Sequence, residues 1–166
     1  QDRTRWWRGY LGGTKKPRIG LVWRGNPDHP QDQKRSIELR SIVNDLTPEF
    51  EWYSLQLQIS DEEKLLIDQS TNLTHFGSLI GDFAETAALC AVLDAVVCVD
   101  TSIAHLAGTL GIETHVLLAY TPDWRWGLGT SGSVWYPSVT LHRQTTPGEW
   151  QPVLETLRTR LSVSAG

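Results

Sequence analysis

Residues 95–111 read Ala-Val-Val-Cys-Val-Asp-Thr-Ser-Ile-Ala-His-Leu-Ala-Gly-Thr-Leu-Gly. The first five are apolar without interruption and rich in valine, the pattern of a strand buried on both faces. Asp100 ends the run. After Thr101 and Ser102, the apolar residues Ile103, Leu106, Ala107 and Leu110 recur at offsets of three and four, which predicts a helix. Gly111 stands where that helix should stop. The stretch is therefore strand, tight turn, helix.

That order has a chemical consequence. At the carboxyl end of a parallel strand, the next helix directs its unpaired N–H groups into the crevice above the sheet. Those donors and the helix dipole favour an anion, typically a phosphate. Thr101 and Ser102 add hydroxyls there. Asp100 can accept from a ribose or sugar hydroxyl. His105 follows Thr101 by four residues and shares its helical face. The same spacing also fits a plain N-cap at Asp100 or Thr101 with a packing histidine behind it.

The chain has 166 residues, 40% hydrophobic and 20% charged, enough for one folded domain with a sizeable core. Its net charge of −4 argues against a broad nucleic-acid or membrane-surface footprint. No apolar run approaches the ~20 residues of a membrane helix. Cys90 and Cys98 sit in apolar surroundings with neither zinc-site nor disulfide spacing, which leads us to expect a reduced, cytoplasmic setting. No methionine and no signal peptide are present, so we expect a processed product or a segment of a longer chain.

Outward from the centre, residues 1–16 are basic and aromatic (Arg3, Arg5, Trp6, Trp7, Arg8, Tyr10) and read as a linker or packing arm. A first strand spans 18–23. The polar loop 24–35 carries glycine and two prolines and ends in Lys34 and Arg35, positioned to swing over an anion or to be ordinary surface cations. Ser36 is placed to cap a helix whose Leu39, Ile42, Val43 and Leu46 form one stripe. A second strand covers 50–55, with Gln56 at its tip. Ser60-Asp-Glu-Glu63 and Asp82-Phe-Ala-Glu85 are capping-box patterns. A short third strand falls at 73–76 and a further strand at 114–119. The aromatic loop 120–126 follows; Trp124 or Trp126 is suited to stack on a base and Arg125 to reach a phosphate, or the tryptophans are rim packing. Residues 127–132 spell a dinucleotide fingerprint but neither follow a strand nor open a helix, so the match is set aside. A last strand lies at 139–142. Thr146-Pro-Gly-Glu149 reads as the start of a final helix bearing Trp150, Val153, Leu154, Leu157 and Leu161. The alternation predicts a doubly wound α/β domain with a mainly parallel sheet.

Several motifs occur together in order: Val-Trp-Arg-Gly-Asn-Pro-Asp-His (22–29), Lys-Arg-Ser (34–36), Ser-Leu-Gln (54–56), Asp-Phe-Ala-Glu-Thr-Ala-Ala (82–88), Val-Asp-Thr-Ser-Ile-Ala-His-Leu-Ala-Gly (99–108), Pro-Asp-Trp-Arg-Trp (122–126) and Val-Trp-Tyr-Pro-Ser (134–138). The set, running from about 17 to 161, resembles the C-terminal glycosyltransferase region found behind tetratricopeptide repeats in many bacterial proteins. That region is related to the lipopolysaccharide heptosyltransferases and, more distantly, to the O-linked N-acetylglucosamine transferases.

The resemblance implies the GT-B fold, two Rossmann-like halves facing across a cleft, with this chain as the C-terminal, nucleotide-sugar-binding half (17–166). It implies a nucleotide diphosphate sugar as substrate, no cofactor, no metal, and a partner in the N-terminal half or a repeat domain. Asp100, Thr101 and Ser102 would hold the diphosphate and sugar. Lys34 or Arg35 would neutralise the leaving group, and His105 would support the turn or touch the donor. Gly25 and Asn26 would let backbone approach the donor, Gln56 would line the nucleoside pocket, and Trp124 and Arg125 would complete the site. Two positions depart from the pattern: Ser102 replaces the heptosyltransferases' glycine, and 127–132 is shorter than its counterpart. The family's catalytic base comes from the other half or the acceptor, which leads us to expect an inactive isolated segment. A non-catalytic interaction domain and a GT-B sugar-nucleotide epimerase fragment are the alternatives.

Overall fold

The computed structural model describes all residues except Gln1, Gln31, Ala165 and Gly166, so the first arm is described from Asp2 and the last helix to Ser164. In chain order the elements are α1 (Arg3–Leu11), β1 (Arg18–Val22), α2 (Asp32–Arg35), α3 (Leu39–Val43), β2 (Glu51–Ser54), α4 (Asp61–Gln69), β3 (Leu73–His75), α5 (Phe83–Cys90), β4 (Ala95–Val99), α6 (Ser102–Thr109), β5 (Glu113–Leu118), β6 (Val139–Arg143) and α7 (Gln151–Ser164). The strands form one sheet in the order β3-β2-β1-β4-β5-β6, with every neighbouring pair parallel. This is the doubly wound, Rossmann-like arrangement expected of the alternating pattern. Strand order reverses between β1 and β4, so a crevice opens at their carboxyl ends.

The valine run at the centre explains the layering. Val96 and Cys98 point to one face, packed with Trp7, Leu89, Ala104, Ala107, Val116 and Leu118. Val97 and Val99 point to the other, with Leu21, Ile42, Ile67, Leu117, Leu154 and Leu157. Every residue of β4 is buried, as a central parallel strand covered on both sides requires. Helix α6 closes with Gly111 N–H bonding to Gly108 O and Ile112 N–H to Ala107 O, the paired bonds of a Schellman stop. The arm is helix α1: Trp7 is fully buried against α5 and its indole N–H donates to Glu85 at 2.6 Å. Trp6 remains partly exposed. Cys90 and Cys98 are free and buried; burial pushes both thiols up, Cys90 to about 12. Among the described residues no helix is long and apolar enough to cross a membrane.

Three local readings change. Ser36 does not cap a helix: α3 is a short turn of helix following Glu38, and no side chain caps it. The Ser36 hydroxyl instead donates to Asp32 at 2.9 Å and accepts from Gly25 N–H. The capping box at Asp82 is half made. Asp82 accepts from Glu85 N–H, but the Glu85 carboxylate has turned to Trp7 and to Arg3 at 3.2 Å. Residues 146–149 form a turn closed by Glu149 N–H to Thr146 O, and α7 begins only at Gln151. Gly148 has φ +79°, which no helical residue adopts.

On the α7 side of the sheet, His115 and His142 form a buried pair, Nδ1 to Nε2 at 3.0 Å, with Glu113 Oε1 3.2 Å from the outer His115 nitrogen. Burial pulls both imidazoles below their ordinary value, His115 despite Glu113, and His115 and Arg160 lower His142 further, to about 4. The unfolded chain thus binds more protons than the folded one between about pH 6.5 and pH 4. Stability is full near pH 7 and declines as pH falls through that window. Urea unfolding should lose on the order of 2 kcal/mol between pH 7 and pH 4.5, and His142→Phe should flatten the slope. A midpoint constant over that range contradicts the neutral pair.

Candidate functional site

The crevice at the strand tips is a cleft of about 1220 Å³. Its floor is the turn from β4 into α6. Only Asp100 and Thr101 separate the last residue of the strand from the first of the helix. Thr101 takes the extended N-cap conformation, yet its side chain caps nothing; its buried hydroxyl has no partner among the described residues. Ser102 is exposed, and Asp100, Thr101, Ser102 and Ile103 all line the cleft. The amide of Ala104 is taken by Thr101 O, while the earlier ones belong to the unpaired first turn.

The loop after β1 forms the near wall, and it is held rather than free to swing. Arg35 donates from Nη1 to the Asp100 carbonyl at 2.8 Å, across the point where strand order reverses. Its Nε bonds Asp32 at 3.1 Å, and buried Asp32 is itself held by Ser36. Gly25 is required by this clamp. A methyl there would collide with the Asp32 carboxylate and lie 2.5 Å from Arg35 Nη2. The atoms packed against Gly25 are thus those of the protein's own Asp32 and Arg35 side chains. Asn26 turns the loop, its Oδ1 accepting from Asp28 N–H. Lys34 lines the same wall and makes no ion pair among the described residues.

Gln56 sits at the tip of β2, 8% exposed, facing the cleft with its side-chain oxygen unpartnered among the described residues. Beside it Arg24 bonds Glu63 through Nε and Nη2 and the Gln58 carbonyl through Nη2. Glu63 also accepts from Trp23 and from Ser60 N–H. Burial raises the Glu63 carboxyl, but the bonds from Arg24, Ser60 and Trp23 outweigh it and hold the group below its ordinary value. The capping box read from sequence therefore also fastens the end of β1.

The far wall is aromatic. His105 lines the cleft with its ring stacked on Trp126 at 5.0 Å and its Nδ1 3.1 Å from the Tyr136 hydroxyl. Trp126 is only 2% exposed, so it backs His105 and offers no free face to a base. Trp124 is 75% exposed at the cleft, with the Arg125 guanidinium 5.4 Å from its ring centre. Arg125 is paired to Asp123 at 2.9 Å, and the Trp135 indole N–H donates to its carbonyl.

Of the candidate site residues read from sequence, all but Trp126 thus line one cleft. The sequence reading missed Asp32, which sets Arg35, and Tyr136, which sets His105. Asp32 stands three residues before Arg35, a helical ion-pair spacing that was legible. Tyr136 lies within the motif Val-Trp-Tyr-Pro-Ser (134–138), whose spacing carries no signal for a contact with His105. Among the described residues no group of three or more His, Cys, Asp or Glu is gathered to hold a metal ion.

No family model matches the chain. It is 26% identical over 152 residues to Protein FlbA of Caulobacter vibrioides, covering 87% of this chain and 25% of that protein. The chain therefore spans a quarter of the length of the curated relative it matches. Among solved structures, E. coli ADP-heptose lps heptosyltransferase II superposes with a TM-score of 0.66 at 13% identity, over 99% of this chain and 52% of that one. E. coli heptosyltransferase WaaC with ADP-2-deoxy-2-fluoro heptose gives 0.61 at 13% identity, over 97% and 47%. The glycosyl transferase family 9 structure from Veillonella parvula gives 0.61 at 9% identity, over 98% and 50%. The chain thus has a glycosyltransferase-like fold and corresponds to about half of each of these three solved structures.

Gly25→Ala is expected to cost about 1–3 kcal/mol by forcing Arg35 off the Asp100 carbonyl. Gly9→Ala, inside α1 with open space around it, should be neutral or stabilising by about 0.5–1 kcal/mol. Thermal unfolding of the two variants measures the contrast; equal effects would mean that Gly25 is not packed against the clamp.

Proposed function

We propose that this domain is the donor-binding half of a metal-independent GT-B glycosyltransferase and holds a nucleotide diphosphate sugar in the cleft. One observation carries the reading. At the mouth of α6, Arg35 is bonded to the backbone of the β4–α6 turn, beside Lys34 and the hydroxyls of Thr101 and Ser102. A helix start with a cation and directed N–H donors is a site for a diphosphate. Two structural neighbours, the ADP-heptose heptosyltransferase II and heptosyltransferase WaaC with its ADP-fluoroheptose, support the same ligand class.

In this reading the α6 amides and the Ser102 and Thr101 hydroxyls receive the diphosphate oxygens. Lys34 supplies net positive charge and Arg35 directed donors as the sugar–phosphate bond breaks, so that charge building on the departing diphosphate meets groups already oriented. Asp100 accepts from a ribose or sugar hydroxyl. His105, held by Trp126 and Tyr136, bounds the sugar end. Gln56 lines the nucleoside pocket, and Trp124 with Arg125 covers the open side. The base that activates the acceptor belongs to the facing half. That half, or a tetratricopeptide-repeat domain in the same cytoplasmic protein, is the partner. In this division residues 1–16 are a separate arm, whose helix α1 packs on the donor domain through Trp7.

Titration with UDP, GDP, ADP and CMP, followed by thermal shift, should show stabilisation by at least one, weakened tenfold or more by Arg35→Ala. No response to any of them at millimolar concentration would falsify the reading. The isolated chain should show no multiple turnover with any donor, since it forms only one wall of the site.

A further inference from the structure

The aromatic wall of the cleft hangs on one side chain that the proposed chemistry does not use. Arg143, the last residue of β6, is half-buried beneath the loop that follows β5. Its guanidinium donates to three backbone carbonyls of that loop: Nη2 to Trp126 O at 2.7 Å, Nη1 to Gly127 O at 3.1 Å, and Nε to Thr130 O at 3.0 Å. It pairs with no carboxylate among the described residues. The next residue, Gln144, holds the other end of the loop by accepting from Tyr120 N–H at 3.0 Å. The loop has little regular structure of its own to hold it: a 3-10 turn at Trp124–Trp126 and one isolated bridge at Gly132.

We propose that Arg143 is a positioning residue of the cleft, fixing the wall that keeps Trp126 stacked on His105 and Trp124 at the opening. The argument is geometric. Trp126 O is one of the three acceptors, so the bond acts on the same residue whose ring backs His105. A fork of fixed N–H directions can serve three converging carbonyls at once, and an ammonium cannot match that fixed geometry. Each of the three nitrogens of the guanidinium is engaged with a carbonyl of this one loop, so the fork is given over to holding it. The inference rests on the donor-site reading and adds to it a residue that touches no ligand.

The test uses the 166-residue chain with Arg143→Lys, Arg143→Met and Arg143→Ala. Amide hydrogen exchange over 124–132 should quicken at least tenfold in both variants, while amides of β4 and β5 keep their wild-type rates. The dissociation constant for whichever of UDP, GDP, ADP or CMP binds the wild type should rise at least tenfold in Arg143→Met. Ethylguanidinium added to Arg143→Ala should restore part of that affinity, a rescue that a general loss of stability would not show. Wild-type exchange and wild-type affinity in Arg143→Lys would overturn the positioning role alone. If Arg143→Met fails to fold, Arg143→Lys decides by the same readouts. Absence of nucleotide binding by the wild type removes the donor-site reading, and this inference with it.

Discussion

Above the strand tips where strand order reverses, the Arg35 guanidinium donates to the Asp100 carbonyl at 2.8 Å and ties the loop after β1 to the turn after β4. At a strand-order reversal the crossovers leave in opposite directions, and no helix covers the gap. Whatever shapes the crevice must come from loops, and loops need fixing. Here the fixing is a chain of contacts. Ser36 holds Asp32, Asp32 holds Arg35, Arg35 holds the turn into α6, and Gly25 leaves room for the last two. A charge-assisted bond to a carbonyl is directional as well as strong. The near wall and the floor of the cleft therefore behave as one piece.

The electrostatics of that piece follow from which cations are neutralised. Arg24 lies against Glu63, Arg35 against Asp32 and Arg125 against Asp123. Each contributes N–H donors at set positions and little net field. Lys34 has no such partner among the described residues, so it and the start of α6 supply the positive potential. In the proposed reading, this is how a chain of net charge −4 presents an anion site. The favourable field is local, confined to one helix mouth, and surrounded by compensated pairs.

The opposite wall is built on another logic. Trp126 is buried, and its ring supports His105, while Tyr136 bonds the same imidazole from the side. Residue type alone left Trp124 and Trp126 alike, two tryptophans separated by one residue, and only the family resemblance favoured Trp124. Burial separated them: one is core, the other surface. The same holds for Glu85. Its spacing from Asp82 satisfies the capping-box rule, but Trp7, 78 residues away, offered its carboxylate a better-placed donor. In each case a local pattern had two uses, and a distant contact chose between them.

The sequence by itself determined the alternation of strands and helices, the double burial of 95–99, the tight turn into α6 and the Schellman stop at Gly111. These depend on hydrophobic period and turn chemistry, which act over a few residues and leave a readable trace. It also marked the polar residues that converge on the cleft, because a doubly wound sheet brings its strand tips to one edge. The tertiary structure alone decided what those residues touch. Ser36 became a support for Asp32 when its pattern suggested a cap, and α7 began after the turn at 146–149 when Thr146 suggested an earlier start. Arg35 reaches a carbonyl 65 residues further along the chain, and no local spacing encodes a partner at that distance. Only the packed sheet sets such pairs within bonding range.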